Sequence, residues 1–225
     1  MKPTFWRTVA TILWKDIATE LRSRELITAM LVFAMLVILV FNFALELLPK
    51  LEKSLASGIL WVTFTFAGTL GLNRSIAMEK DRGCLDGLLL APVDRSAIYF
   101  GKTIGNLMFM LIVIVIILPV FSLLYDINLF RLGLLLVIVL GSIAFVAVGT
   151  LLATMSVQTR TREIMLPILL FPLLIPVLIA AVNASSGYLQ GVEIKEISPW
   201  LNLLFAYNII FISASVVFFD FIVEE

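Results

Sequence analysis

Apolar residues run in six long blocks, near 26–45, 58–77, 97–124, 132–155, 164–184 and 200–219. Each is about as long as the ~20 residues a helix needs to cross a bilayer. None shows the apolar–polar alternation of a membrane β-strand. The pattern therefore predicts an all-α integral membrane protein with six spans, forming one domain over residues 1–225. Ahead of the first block, Pro3–Arg24 reads as a further helix. At about 100° per residue, Trp6, Val9, Ala10, Leu13, Trp14, Ile17 and Leu21 share one side, and Arg7, Thr8, Thr11, Lys15, Thr19 and Arg22 the other. Phe5, Ile12 and Glu20 break that pattern. Tryptophans and basic residues around an apolar face suit a helix lying in the headgroup layer. A helix packed on a soluble partner would show the same two faces.

Composition agrees with a membrane setting. Of the 225 residues, 61% are hydrophobic and 14% charged, against about half and a quarter in soluble domains. Histidine is absent and Cys84 is the only cysteine, which removes imidazole ligands, internal disulfides and cysteine-built metal clusters. The net charge of zero is less informative than where the charges fall. With the amino terminus in the cytoplasm, Lys2, Arg7, Lys15, Arg22, Arg24, Arg74, Lys80, Arg82, Arg95, Lys102, Arg160 and Arg162 share its side, 12 of the 16 basic residues. That bias predicts a multi-pass protein with both termini cytoplasmic.

One interval departs from the rest: Asn73–Lys102, where charge, glycine and proline gather between two apolar blocks. Its core, residues 78–96, is expected as a cytoplasmic loop. Glu79, Lys80, Asp81 and Arg82 form a mixed-charge cluster, and Gly83 frees the backbone for a turn. Leu85, Leu88 and Leu89 follow at helical spacing, with Asp86 among them, until Pro92 ends the run. This predicts a short amphipathic helix that docks on a soluble partner; a solvated connector between two spans would hold the same residues. Arg160 and Arg162, in the next loop on that face, could join the surface. Gly101-Lys102-Thr103 resembles the end of a phosphate-binding loop, but Ser96 stands where the first glycine is required. Lys102 reads instead as a headgroup anchor.

Within the spans, Thr63, Thr65, Gly68, Thr69 and Gly71 offer a small, hydroxylated surface, and Gly141 and Gly149 lie about two turns apart on one side. Both patterns predict close helix packing, with the lining of a substrate path the alternative for the glycines. Pro167, Pro172 and Pro176 in the fifth span open its hydrogen-bond ladder, so this helix is bent and buried, or moves. No span carries a charge near its centre, unlike ion- and proton-coupled carriers. Nor do the hydroxyls of Thr63, Thr65, Ser142 and Ser213 have a base nearby, so no enzyme is expected.

The surface helix, the six spans and the loop of form Glu79-x3-Gly83-x-Leu85-Asp86-x2-Leu89-x2-Pro92 resemble permease subunits of ABC-2-type exporters. More narrowly, Gly58-Ile59-Leu60-Trp61, this loop and Leu166-Pro167-x4-Pro172-Leu173-Leu174-Ile175-Pro176-x-Leu178-Ile179 resemble the CcmB family, the haem exporter protein B of cytochrome c maturation. The resemblance implies a bacterial inner-membrane permease with a short cytoplasmic coupling helix between spans two and three. It implies that Glu79, Lys80, Asp81, Arg82, Gly83, Leu85, Asp86, Leu88, Leu89, Pro92, Arg160 and Arg162 face a separate ATPase subunit, CcmA-like. It further implies CcmC-like and CcmD-like membrane partners and a CcmE-like periplasmic haem chaperone. No cofactor is expected on this chain: ATP would sit on the ATPase and haem on a partner or the chaperone. Met30, Met35, Met108 and Met110 are expected to pack rather than to ligate iron. An ABC-2-type exporter of another hydrophobic or glycan-linked substrate is the alternative.

Overall fold

Each apolar block forms a helix longer than the block itself. The computed structural model describes residues 4–46, 52–81, 84, 87, 93–156 and 162–222, all helix or short connection. The helices are α1 Phe5–Ser23, α2 Glu25–Glu46, α3 Glu52–Asp81, α4 Arg95–Leu124, α5 Leu132–Ser156, α6 Arg162–Gln190 and α7 Ile194–Ile222. Among the described residues there is no strand, and α2 to α7 are each long and apolar enough to cross a membrane. α5 is central and packs on α3, α4, α6 and α7, while α2 lies on α3 and α4.

The glycine stripe of α5 is where this packing closes. Gly141 faces the indole of Trp61 and Gly149 faces Leu72, both on α3, and neither position has room for a Cβ. Thr63, Thr65 and Thr69 on α3 return their hydroxyls to the carbonyls four residues back, at 2.7–2.8 Å. In a membrane such small, self-satisfied side chains let backbones approach without orphaning a polar group. A polar bridge adds to this: Ser75 Oγ donates to Asn106 Oδ1, and Asn106 Nδ2 donates to Thr150 Oγ1, each at 3.1 Å, tying α3, α4 and α5 together.

The prolines do not interrupt α6. It is helical through Pro167, Pro172 and Pro176, with Leu166, Leu170, Leu174 and Val177 buried and Ile168, Ile175 and Ile179 exposed. Tyr207 of α7 donates its hydroxyl to Leu173 O at 2.6 Å, beside the carbonyl that Pro176 deprives of a donor. In α7, Ser198 Oγ donates at 3.0 Å to Lys195 O, the carbonyl that Pro199 leaves open.

The turn between α1 and α2 is built around one buried acid. Arg24 takes the left-handed conformation that ends α1, and its N–H bonds Glu20 O. The Glu20 carboxylate then accepts from Ile27 N at 2.8 Å, satisfying a donor in the first turn of α2. An anion at a helix start also meets the positive end of its dipole.

Candidate functional site

Helix α1 packs on α4, and the seam explains the residues that break its two-sided pattern. Ile12 is buried against Gly101 and Phe5 lies against Phe100 of α4 with ring centroids 6.0 Å apart, while Glu20 is buried in the turn to α2. Trp6, Trp14 and Leu21, read as its apolar face, are instead exposed to about 70%. The helix is thus three-sided: a seam against the bundle, an apolar face with tryptophans, and a polar edge with Arg7, Thr11 and Arg22. This combines a docked helix with the amphipathic profile of the headgroup layer.

Along that seam two lysines and two carboxylates meet. Lys15 Nζ lies 2.8 Å from Glu79 Oε1 and 3.0 Å from Asp16 Oδ1. Lys102 Nζ reaches both oxygens of Asp16, at 3.1 and 3.0 Å, and also donates to Glu79 Oε1. Glu79 Oε2 is buried with no hydrogen-bond donor among the described residues. The formal charges cancel. Lys102, Glu79 and Asp16 have side chains only 8%, 12% and 14% exposed, in a low-dielectric setting where loss of one of them is costly, while Lys15 sits at the open edge, 38% exposed. Burial by itself would lower the pKa of Lys15, but the carboxylates of Glu79 and then Asp16 more than offset it and raise it above the ordinary lysine value.

The placement of the four matters more than their number. Glu79 lies in the last turn of α3 and Lys102 in the second turn of α4, so their bond draws together the two ends of the 82–94 segment. Lys15 and Asp16 fasten both to α1. A cavity of about 160 Å³ lies beside this clasp, lined by Thr19, Glu20, Ser75, Met78, Cys84 and Phe109 among others.

This corrects the reading of Lys102 as a headgroup anchor: its ammonium is buried in an ion cluster. Glu79, placed by sequence with the docking residues, turns its carboxylate inward, because α3 continues to Asp81 instead of ending near Ala77. Lys80 is half-buried on the last turn, and Asp81 closes the helix. Cys84 and Gly87 are exposed in helical backbone. Arg82, Gly83, Leu85, Asp86, Leu88, Leu89, Pro92 and Arg160 lie outside the described residues; Arg162 opens α6, and its side chain is also outside them. Among the described residues no three His, Cys, Asp or Glu converge as metal ligands do.

Sequence reasoning passed over Asp16 and the partners of Lys15 and Lys102. A signal was present: Tyr99, Lys102 and Asn106 recur at helical spacing on one side of an otherwise apolar span. That side is the one that meets α1, α3 and α5, with Tyr99 Oη donating to Ala147 O at 3.1 Å.

Comparison with known proteins covers nearly the whole chain. The family model described as CcmB protein matches residues 7–222. A heme exporter protein B from Pseudomonas aeruginosa is 27% identical over 177 residues, 78% of this chain and 79% of the relative. One from Rhodobacter capsulatus is 26% identical over 185 residues, 82% and 85% of the two chains. A third, from Haemophilus influenzae, is 26% identical over 172 residues, 76% and 77%.

Proposed function

Starting from the fact that the chain belongs to the CcmB family, we propose that it is the permease subunit of an ATP-driven complex in cytochrome c maturation. A separate ATPase subunit docks on the segment between α3 and α4, on the cytoplasmic face of a bacterial inner membrane. The observation that carries this reading is the clasp. A push on the 82–94 segment cannot move one of its ends alone, because Glu79 and Lys102 hold each other and both hold α1. Displacement of that segment therefore passes to α1, α3 and α4 together, as a rigid-body shift.

Release of a haem-loaded chaperone fits the residues better than carriage of haem. Haem iron is generally held by His, Cys, Met or Tyr. This chain has no histidine, its one cysteine, Cys84, lies within the ATPase-facing segment, and methionines such as Met30 and Met110 are buried in the apolar core as packing residues. A CcmC-like subunit would handle haem beside a small CcmD-like membrane subunit, and a CcmE-like chaperone would be the species released.

The test is to purify the chain with its companion subunits and measure ATP hydrolysis together with haem-chaperone release. Leu85→Glu is expected to weaken ATPase association. Glu79→Gln is expected to preserve association and hydrolysis while lowering release per ATP by about tenfold or more. Full release with either variant would overturn the proposal.

A further inference from the structure

A second feature of the basic end of the bundle has no part in the clasp. Between α2 and α3 a lateral groove of about 540 Å³ opens on the outside of the helices. Its walls are Val32, Phe33, Leu36 and Leu70; its mouth is formed by Ser23, Arg24, Glu25, Thr28 and Arg74. Along α2 it runs from Glu25 to Leu36, about 16 Å at 1.5 Å per residue. That is close to half of a bilayer's apolar core of about 30 Å, one leaflet's depth.

Charge is confined to one end. Arg74 Nη2 meets Glu25 Oε2 at 3.2 Å across the mouth, with both side chains about half exposed. Arg24 is exposed and makes no ion pair among the described residues. Two guanidinium groups against one carboxylate leave a net positive mouth. Ser23, in the same rim, has a buried hydroxyl that lacks a partner among the described residues. Guanidinium groups pair well with phosphate oxygens, and a serine hydroxyl can donate to a third.

We infer that this groove is a binding site for an anionic phospholipid, the phosphodiester held by Arg24 and Arg74 and one acyl chain lying along Val32, Leu36 and Leu70. The polarity profile selects this occupant. A partner helix would not need a cationic end above a wholly apolar channel one leaflet deep, and a soluble anion would not need the channel. α2 is also among the least covered of the six spans, with Val32, Leu36, Val40 and Phe43 each more than half exposed. On this chain the groove is therefore open on the side from which a lipid would enter.

The experiment uses the full chain in mild detergent, offered dioleoylphosphatidylglycerol and dioleoylphosphatidylcholine in equal amounts, with retained lipid counted by native mass spectrometry. Phosphatidylglycerol is expected to be retained preferentially. Each of Arg24→Gln and Arg74→Gln should lower its retention about fivefold, the usual effect of one basic residue near an anionic membrane, and leave phosphatidylcholine little changed. Glu25→Gln should raise phosphatidylglycerol retention, a gain that misfolding cannot mimic. Leu36→Trp, which fills the channel at an exposed position, should lower retention of both lipids. Equal retention of the two lipids, no response to the arginine changes, no gain with Glu25→Gln, or displacement by millimolar glycerol phosphate would each overturn the inference.

Discussion

The indole of Trp61 on α3 occupies the space beside Gly141 on α5 where any other residue would place its Cβ, while its Nε1–H donates to Ser185 Oγ on α6 at 2.9 Å. Three helices are thus registered by one side chain, and the hydrogen bond prevents the ring from swinging away. Gly141→Ala is expected to cost about 1–3 kcal/mol, the range for overpacking a tight core. Gly58, also on α3, has no neighbour within 4 Å of an added Cβ. Gly58→Ala should therefore be neutral or stabilise by up to about 1 kcal/mol through helix propensity. Thermal unfolding of the two variants in the same detergent separates a packing requirement from a general intolerance of alanine.

The Ser75–Asn106–Thr150 bridge is expected to be worth less than its burial suggests. On losing Asn106, the hydroxyls of Ser75 and Thr150 can turn to carbonyls of their own helices, so nothing need be orphaned. Asn106→Ala should cost about 0.6 kcal/mol and no more than about 1.7, the average and upper bound for hydrogen bonds between membrane helices. Asn106→Asp should cost distinctly more, because a buried unpaired carboxylate has no such escape. If the two variants unfold at the same temperature, the site is wetter than its burial implies.

The six spans were legible from composition and block length, since a bilayer demands long apolar helices whatever their neighbours. Packing by Gly141 and Gly149 was legible too, since small residues two turns apart let helices approach, and contact with Trp61 and Leu72 favours it over a substrate path. The clasp was not legible. Sequence shows where a charge lies along its own helix but not which charge on another helix will face it, so Lys102 read as an anchor and Glu79 as part of a surface. The pairing depends on α1 docking against α4, and α1 was read by its strongest two-sided pattern. Of its three exceptions, Ile12 and Phe5 mark that seam and Glu20 caps α2.

Breaking one partner of the clasp should be worse than removing a pair. Lys102→Met leaves Asp16 and Glu79 with Lys15 alone, a net negative charge among buried groups. A loss of about 3–5 kcal/mol is expected, as for other buried pairs cut on one side. Lys102→Met combined with Glu79→Leu keeps the Lys15–Asp16 pair at 3.0 Å and restores neutrality, so the double variant should be more stable than Lys102→Met alone. A double-mutant cycle on unfolding free energies reads the coupling directly. Simple additivity of the two changes would show that the four groups do not act as a unit.

Alkali should undo the docking of α1 through Lys15. Its pKa is raised in the folded protein by Glu79 and Asp16 against the lowering effect of burial, so the folded state holds this proton more tightly than the unfolded chain does. Stability from that proton is complete below the ordinary lysine value of 10.5, and declines as the pH climbs from there through the higher folded value. A nitroxide on Thr11→Cys, in a Cys84→Ser background, would report the mobility of α1 from its exposed edge. Its spectrum should be the same at pH 7 and pH 10 and sharpen reversibly at higher pH. Lys15→Met should already be mobile at neutral pH, with the step above 10.5 diminished. An unchanged alkaline step in that variant would assign the transition to another group and remove Lys15 from the clasp.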